Sequence, residues 1–467
     1  MSVRRFFARV VRHWDTGARN GHDRSMIAPR ITRLSADDMI QLAQEASGAW
    51  MQFAAIVVLD GSPGLGDLRA LIESRLGAVP RLRQRLVRVP YGRPIWVDDA
   101  GFEIARHVDE VPCPAPGDRT ALLAVAARTV QERLTLAHPP WRITLVSGLG
   151  GGRAALVIVL HHLLADGLAG LAVLSGLVDG VRVAPSPSGG AWPTAEQLRV
   201  DARAERRRRI AALPGLPGRL RAAAAELLRG GTGTAPRCSI NAAPVGQRRA
   251  LAVAQVDLAA VAATARLVGG TVNDVVLTAV TAALACVLAG RGERLDRLIV
   301  SVPISARRRA DAAELGNRVG VLPVSLPLVG PTGERLAAVA AVTRSRKTET
   351  PGASTALLAP FVRALAAIGA FGAFIGHQRL VNTFVTNVRG PREPLSLGGC
   401  RVTELIPVSA ISGNVGVAFA VLSYAGRLTV TVVADPDRCP DAARLAELVR
   451  INLGELTAST GPYQPAA

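Results

Sequence analysis

At 467 residues with 49% apolar side chains, the chain is long enough to bury large cores and to divide into two domains. Its formal net charge of +19 is almost wholly arginine, Lys347 being the one lysine, while aromatics make up only 4% and no nucleic-acid motif stands out. That balance speaks against a nucleic-acid partner and for a membrane surface or an anionic acyl carrier.

In chain order, Val3, Phe6, Phe7, Val10, Val11 and Trp14 fall on one helical stripe, with Arg4, Arg5, Arg9, Arg12 and His13 on the remainder. The arm 1–30 therefore reads as a basic amphipathic helix, a pattern suited to lying on a membrane. A helix packed on the body, or a start placed upstream of a true Met26, are alternative readings of the same residues. A first domain follows at 31–184, with strands predicted at 54–59, 95–97, 142–146 and 154–160 and helices at 66–76 and 119–134. Pro185-Ser-Pro-Ser-Gly-Gly190 opens a crossover linker at 185–247. Within it, Arg206-Arg207-Arg208-Arg209 is a solvated face or a phospholipid contact, and Pro214 and Pro217 interrupt the helical pattern.

The second domain spans 248–460. Strands are predicted at 250–256, 298–304, 320–326, 383–388, 402–407, 417–424 and 427–434, the last two joined by an Ala425-Gly426 turn. Helices are predicted at 258–268, 272–288, 334–345 and 442–453. Strands and helices mix in both halves, so the fold class is α/β, in α+β layers. The best candidate for a membrane span, 364–376, is 13 residues long. About 20 are needed, so it reads as a buried helix. Cys113, Cys238, Cys286, Cys400 and Cys439 are scattered, with no CxxC pair, as befits reduced thiols in the cytoplasm.

Chemistry concentrates at His161-His162-Leu163-Leu164-Ala165-Asp166-Gly167, directly after the apolar run 154–160. Side chains alternate along a strand, so one histidine can enter a cleft while the other stays in the core. For the same reason the pair could not easily share a metal ion, and no Cys/His cluster stands nearby to complete a zinc shell. A neutral imidazole of ordinary pKa, about 6.5, is suited to take a proton from a hydroxyl. Asp166 and Gly167 make the corner before an apolar helix. Asn273 and Asp274 stand where another helix begins; Asp274 reads as a cap, and Asn273 as either a cap or an active-site group. Trp141, after Pro139-Pro140, reads as a buried indole at a rigid strand entry.

These segments resemble the bacterial wax ester synthase/acyl-CoA:diacylglycerol acyltransferase family, within the chloramphenicol acetyltransferase-like superfamily. The likeness runs from about Leu34 to Leu453. The first motif matches the superfamily's HHxxxDG, in which the second histidine, here His162, is the base and the aspartate, here Asp166, is architectural. More specific to the family are Thr271-Val272-Asn273-Asp274 and Thr386-Asn387-Val388-Arg389-Gly390-Pro391. Pro139-Pro140-Trp141, Val302-Pro303-Ile304-Ser305 and Leu315-Gly316-Asn317-Arg318 resemble further family segments. Departures include Thr386 for serine, Arg389 for proline and Gln52 where many members carry histidine.

The resemblance implies two acetyltransferase-like domains with the site in a tunnel between them. It further implies acyl transfer from acyl-CoA, as substrate and without a cofactor or metal, to diacylglycerol or a long-chain alcohol. Catalytic roles then fall to His162, His161, Asp166 and Gly167, with Asn273, Asp274, Trp141 and Asn387 binding substrate or supporting the site. Arg307-Arg308-Arg309 follows the 298–304 strand as a solvated loop or a contact for CoA phosphates. The expected location is the inner membrane face or lipid droplets. A condensation-type enzyme fed by a carrier protein, or a degraded homologue that only binds lipid surfaces, are the competing readings.

Overall fold

The computed structural model describes residues 31–45, 48, 50–165, 167–180, 192–211, 233–305, 319–348, 365 and 369–458. The arm 1–30, Asp166, the 185–190 break, Pro214, Pro217, Arg307 to Arg309 and the 315–318 segment lie outside the described residues.

In chain order the strands are β1 (Thr32–Arg33), β2 (Gln52–Leu59), β3 (Gln84–Val87), β4 (Ile95–Asp98), β5 (Val108–Pro112), β6 (Trp141–Leu149) and β7 (Arg153–His161). Then come β8 (Ala250–Asp257), β9 (Arg297–Ser305), β10 (Val319–Pro327), β11 (Thr383–Arg389), β12 (Ser396–Leu397), β13 (Cys400–Val408), β14 (Val417–Tyr424) and β15 (Arg427–Ala434). One six-stranded sheet has the order β12-β13-β2-β7-β6-β5, the other β10-β9-β11-β14-β15-β8, and β1-β4-β3 form a small third sheet.

β7 explains why 154–160 is apolar without alternation. Leu156, Ile158 and Leu160 enter a core shared with helices Leu65–Arg75 and Gly167–Leu177. Ala155, Val157 and Val159 enter a second core with helix Arg119–Gln131. That second core also takes Ala418 of β14 and Val433 of β15, so it joins the two large sheets. Beyond the second sheet, helices Leu258–Leu267, Val272–Gly290 and Ala442–Ala458 close a third core. A strand covered on both faces has no solvent side to mark, which removes the period-two signal.

One strand crosses between the two halves. The strand at 402–407, assigned to the second domain, is β13, which pairs antiparallel with β2 from Val402↔Leu59 to Val408↔Ala54. The second half of the chain thus completes the first sheet. Propensity marks a strand but does not choose its neighbour, and β2 offered an edge that needed pairing. Tyr424 secures the crossing: its hydroxyl accepts the Leu395 N–H at 2.7 Å and donates to the Val402 carbonyl at 2.9 Å.

One further expectation changes, the choice of candidate membrane span. Within 364–376 a helix is described at Phe371–Gly376. Among the described residues the one helix long and apolar enough to cross a membrane is instead Val272–Gly290, and it is packed in the third core, with Val275, Val276, Leu277, Val280 and Leu284 all at 0% exposure. The linker carries a long helix, Ala195–Ala211, tied to the small sheet by Arg33 with Asp201 and by Arg93 with Glu205.

Replacing Tyr424 by Phe strands a buried N–H and a buried carbonyl. Equilibrium urea unfolding of the Tyr424→Phe variant is expected to show a loss of about 1–3 kcal/mol; an unchanged midpoint would mean the hydroxyl does not secure the crossing.

Candidate active site

β7 ends at His161, and the two histidines part there as strand alternation requires. His161 is fully buried. The Leu163 N–H donates to its Nδ1 at 3.1 Å, so the ring proton belongs on Nε2, which faces the Glu45 carboxylate at 3.2 Å. Glu45 closes helix Ala36–Glu45 and also receives Arg133 Nε at 3.3 Å, and that guanidinium lies over the Trp50 ring. Burial works against the ionised carboxyl, but His161 and Arg133 together hold Glu45 below the usual glutamate range. Among the described residues His161 is a strut, engaged at both nitrogens.

His162 is held differently. Its backbone N–H donates to the Met51 carbonyl at 2.8 Å, and the residue is partly exposed. Its Nδ1 is buried and, among the described residues, has no hydrogen-bond partner. The ring lies 4.8 Å from that of Phe53, tilted by 48°. Burial, then the neighbouring His161, push its pKa down to about 4. The imidazole is therefore neutral at physiological pH, the form that can accept a proton.

Gly167 opens helix Gly167–Leu177, and Asp166 before it lies outside the described residues. Trp141 begins β6, with its indole N–H donating to the Leu82 carbonyl at 2.7 Å and its ring stacked on His107 at 4.5 Å. The adjacent Pro140 carbonyl accepts the His161 N–H at 3.1 Å. The Pro-Pro-Trp segment thus supports the histidine through a backbone hydrogen bond.

Asn273 and Asn387 meet although 114 positions separate them: the Asn387 amide donates to Asn273 Oδ1 at 3.3 Å. Asn273 stands in the first turn of Val272–Gly290 and Asn387 is exposed on β11. Asp274 is wholly used inside. It closes a capping box with Thr271, and its second oxygen accepts the Thr343 hydroxyl at 2.6 Å. Gln52 faces His161 across the β2–β7 pairing. Its amide binds the Val130 and Glu132 carbonyls and accepts the Leu134 N–H, anchoring the end of helix Arg119–Gln131.

Sequence reasoning missed Glu45, Arg133 and Phe53. A signal existed for Glu45, since an acid in the last helical turn opposes the helix dipole and needs another reason to be there. None existed for Phe53, whose neighbours are set by packing. Among the described residues no group of three His, Cys, Asp or Glu side chains could hold a metal ion. Neither of the two described cavities is lined by His162.

Comparison with known proteins bears on this geometry. Residues 34–276 match the family described as the wax ester synthase/diacylglycerol acyltransferase catalytic domain, and residues 315–457 match the WS/DGAT C-terminal domain. The probable diacylglycerol O-acyltransferase tgs1 of Mycobacterium tuberculosis is 32% identical over 428 residues, covering 87% of this chain and 91% of that protein. In structure, the chain is similar to a wax ester synthase/diacylglycerol acyltransferase from Marinobacter aquaeolei VT8, with a TM-score of 0.66 at 22% identity, over 92% of this chain and 99% of that one. It is also similar to the first condensation domain of the calcium-dependent antibiotic synthetase, with a TM-score of 0.62 at 18% identity, over 93% and 97%. The last two likenesses show a common fold.

Glu45→Ala removes the acceptor for a buried His161 proton. Its urea unfolding is expected to show a loss of about 1–3 kcal/mol, with Glu45→Gln, which keeps an acceptor, losing less. Equal losses in the two variants would deny the hydrogen bond its role.

Proposed function

Because this chain belongs to the wax ester synthase/diacylglycerol acyltransferase family and is an O-acyltransferase, we propose that His162 is its general base in acyl transfer from acyl-CoA to diacylglycerol or a long-chain alcohol. The observation that carries this reading is a neutral imidazole, partly exposed, whose Nδ1 is sealed. Nε2 is then the nitrogen left for reactants. It takes the hydroxyl proton as the oxygen attacks the thioester carbonyl, the C–S bond breaks, and the proton passes to the departing CoA thiolate. The products are an oxygen ester and free CoA, with no acyl group carried on the protein.

General-base help of this kind contributes about 10²–10⁴ in rate. A base whose conjugate acid has a pKa of about 4 is always available near neutral pH, but it is a weak one. Alignment of the two bound substrates must therefore supply much of the acceleration. The paired Asn273 and Asn387 support a polar contact from the second half of the chain, and Asp166 and Gly167 are assigned to shaping the turn. His161, Trp141 and Asp274 are assigned to support.

We also infer that the protein works on an anionic membrane or lipid-droplet surface. Helix Ala195–Ala211 supports this, presenting exposed Arg203 and Arg207 beside exposed Val200 and Ile210, with Trp192 just before it. The amphipathic pattern of 1–30 points the same way.

His162→Ala is expected to lower kcat at least a hundredfold in a CoA-release assay with long-chain acyl-CoA and diacylglycerol or hexadecanol, while the urea midpoint stays close to the parent. For the parent, kcat/KM is expected to hold from pH 8 down past 6 and to fall only towards 4, since protonation removes the base. Retained turnover in His162→Ala, or an acid limb near 6.5, speaks against the assignment. In vesicle sedimentation, Arg203→Glu/Arg207→Glu is expected to weaken binding to anionic but not neutral vesicles; unchanged binding removes this helix from the membrane surface.

A further inference from the structure

Phe53 sits on β2 opposite Leu160 of β7, one residue before the paired histidines. One side of its ring meets the His162 imidazole at 4.8 Å. Another edge meets helix Gly167–Leu177 at Gly170. A Cβ at Gly170 would stand 2.7 Å from Phe53 Cε2 and 2.9 Å from Cζ, closer than carbon atoms can pack, with Leu160 Cδ1 at 3.8 Å behind. Gly170 lies within the helix, so space and not a special backbone conformation requires a glycine there.

The imidazole needs such a neighbour. Its backbone is fixed by the Met51 carbonyl, but the buried Nδ1 has no partner among the described residues. Among the described residues no hydrogen bond at that nitrogen sets the ring's rotation, whereas His161 is held at both of its nitrogens. Packing is left to do it. The Phe53 ring, wedged between Gly170 and His162, blocks rotation towards β2.

We propose that Phe53, seated in the notch that Gly170 leaves open, is a positioning residue that aims His162 Nε2 at the reacting hydroxyl. The inference rests on His162 being the base. A base displaced by about 1 Å loses roughly a hundredfold in rate, so small shifts of this ring are felt in kcat. Loss of an interaction that only aims the base is felt in kcat, so KM is expected to be spared.

The test is steady-state kinetics on the full chain, with long-chain acyl-CoA and diacylglycerol, for His162→Ala, Phe53→Ala, Phe53→Leu, Gly170→Ala and the Phe53→Leu/Gly170→Ala double variant. Phe53→Ala and Gly170→Ala are each expected to lower kcat by about tenfold or more with KM for acyl-CoA within about twofold. Phe53→Leu is expected to lose less. The double variant is expected to exceed Gly170→Ala alone, because the shorter side chain makes room for the methyl group. Should Gly170→Ala fail to fold, Phe53→Ala against Phe53→Leu carries the same contrast. If Phe53→Ala keeps kcat within twofold while His162→Ala abolishes turnover, the positioning role is overturned and the base assignment stands. If His162→Ala itself turns over normally, the base assignment falls first, and the positioning role with it.

Discussion

A histidine at the end of a strand buried on both faces must bury two ring nitrogens, and each demands a partner in the protein. At His161 both are met, by the Leu163 N–H on one side and the Glu45 carboxylate on the other. The first of these bonds shapes the turn just after the strand. The second ties that turn to helix Ala36–Glu45 and, through Arg133, to the chain beyond helix Arg119–Gln131. His162, one residue on, inherits its place from these contacts, while its own Nδ1 has no hydrogen-bond partner among the described residues. Two chemically identical side chains thus do opposite work: one fully bonded and buried, the other held by packing and kept neutral.

That division depends on the layers around it. β7 is covered by helices on both faces, and the second half of the chain adds β13 to the edge of its sheet and Ala418 and Val433 to the core beneath it. The halves are therefore mutually dependent. Asn273 and Asn387, from a helix start and a strand, meet within the second half itself.

Much of this was legible in the residues. Strong apolar runs and their turn residues marked β7, β14, β15 and the helix Val272–Gly290 close to their observed limits, because burial demands those side chains whatever the neighbours are. Asp274, standing where a helix begins, read as a cap, and it closes a capping box with Thr271. The alternation at His161 and His162 already required that they diverge. Short or edge elements were less visible: β5, exposed from Glu110 to Pro112, carries too weak a pattern. Helix Ala36–Glu45 was hidden too, its polar residues disguising a segment whose last carboxylate turns inward.

What the amino-acid order determined alone was local: where chain segments become strands or helices, where they stop, and that a paired histidine would show one ring to each side. Partnership was decided only in three dimensions. The pairing of β13 with β2, the choice of Glu45 as acceptor, and the wedge of Phe53 against Gly170 all join residues remote in the chain. Contacts of that kind arise from the filling of shared space, and no short window of sequence encodes which surfaces will have to fill it.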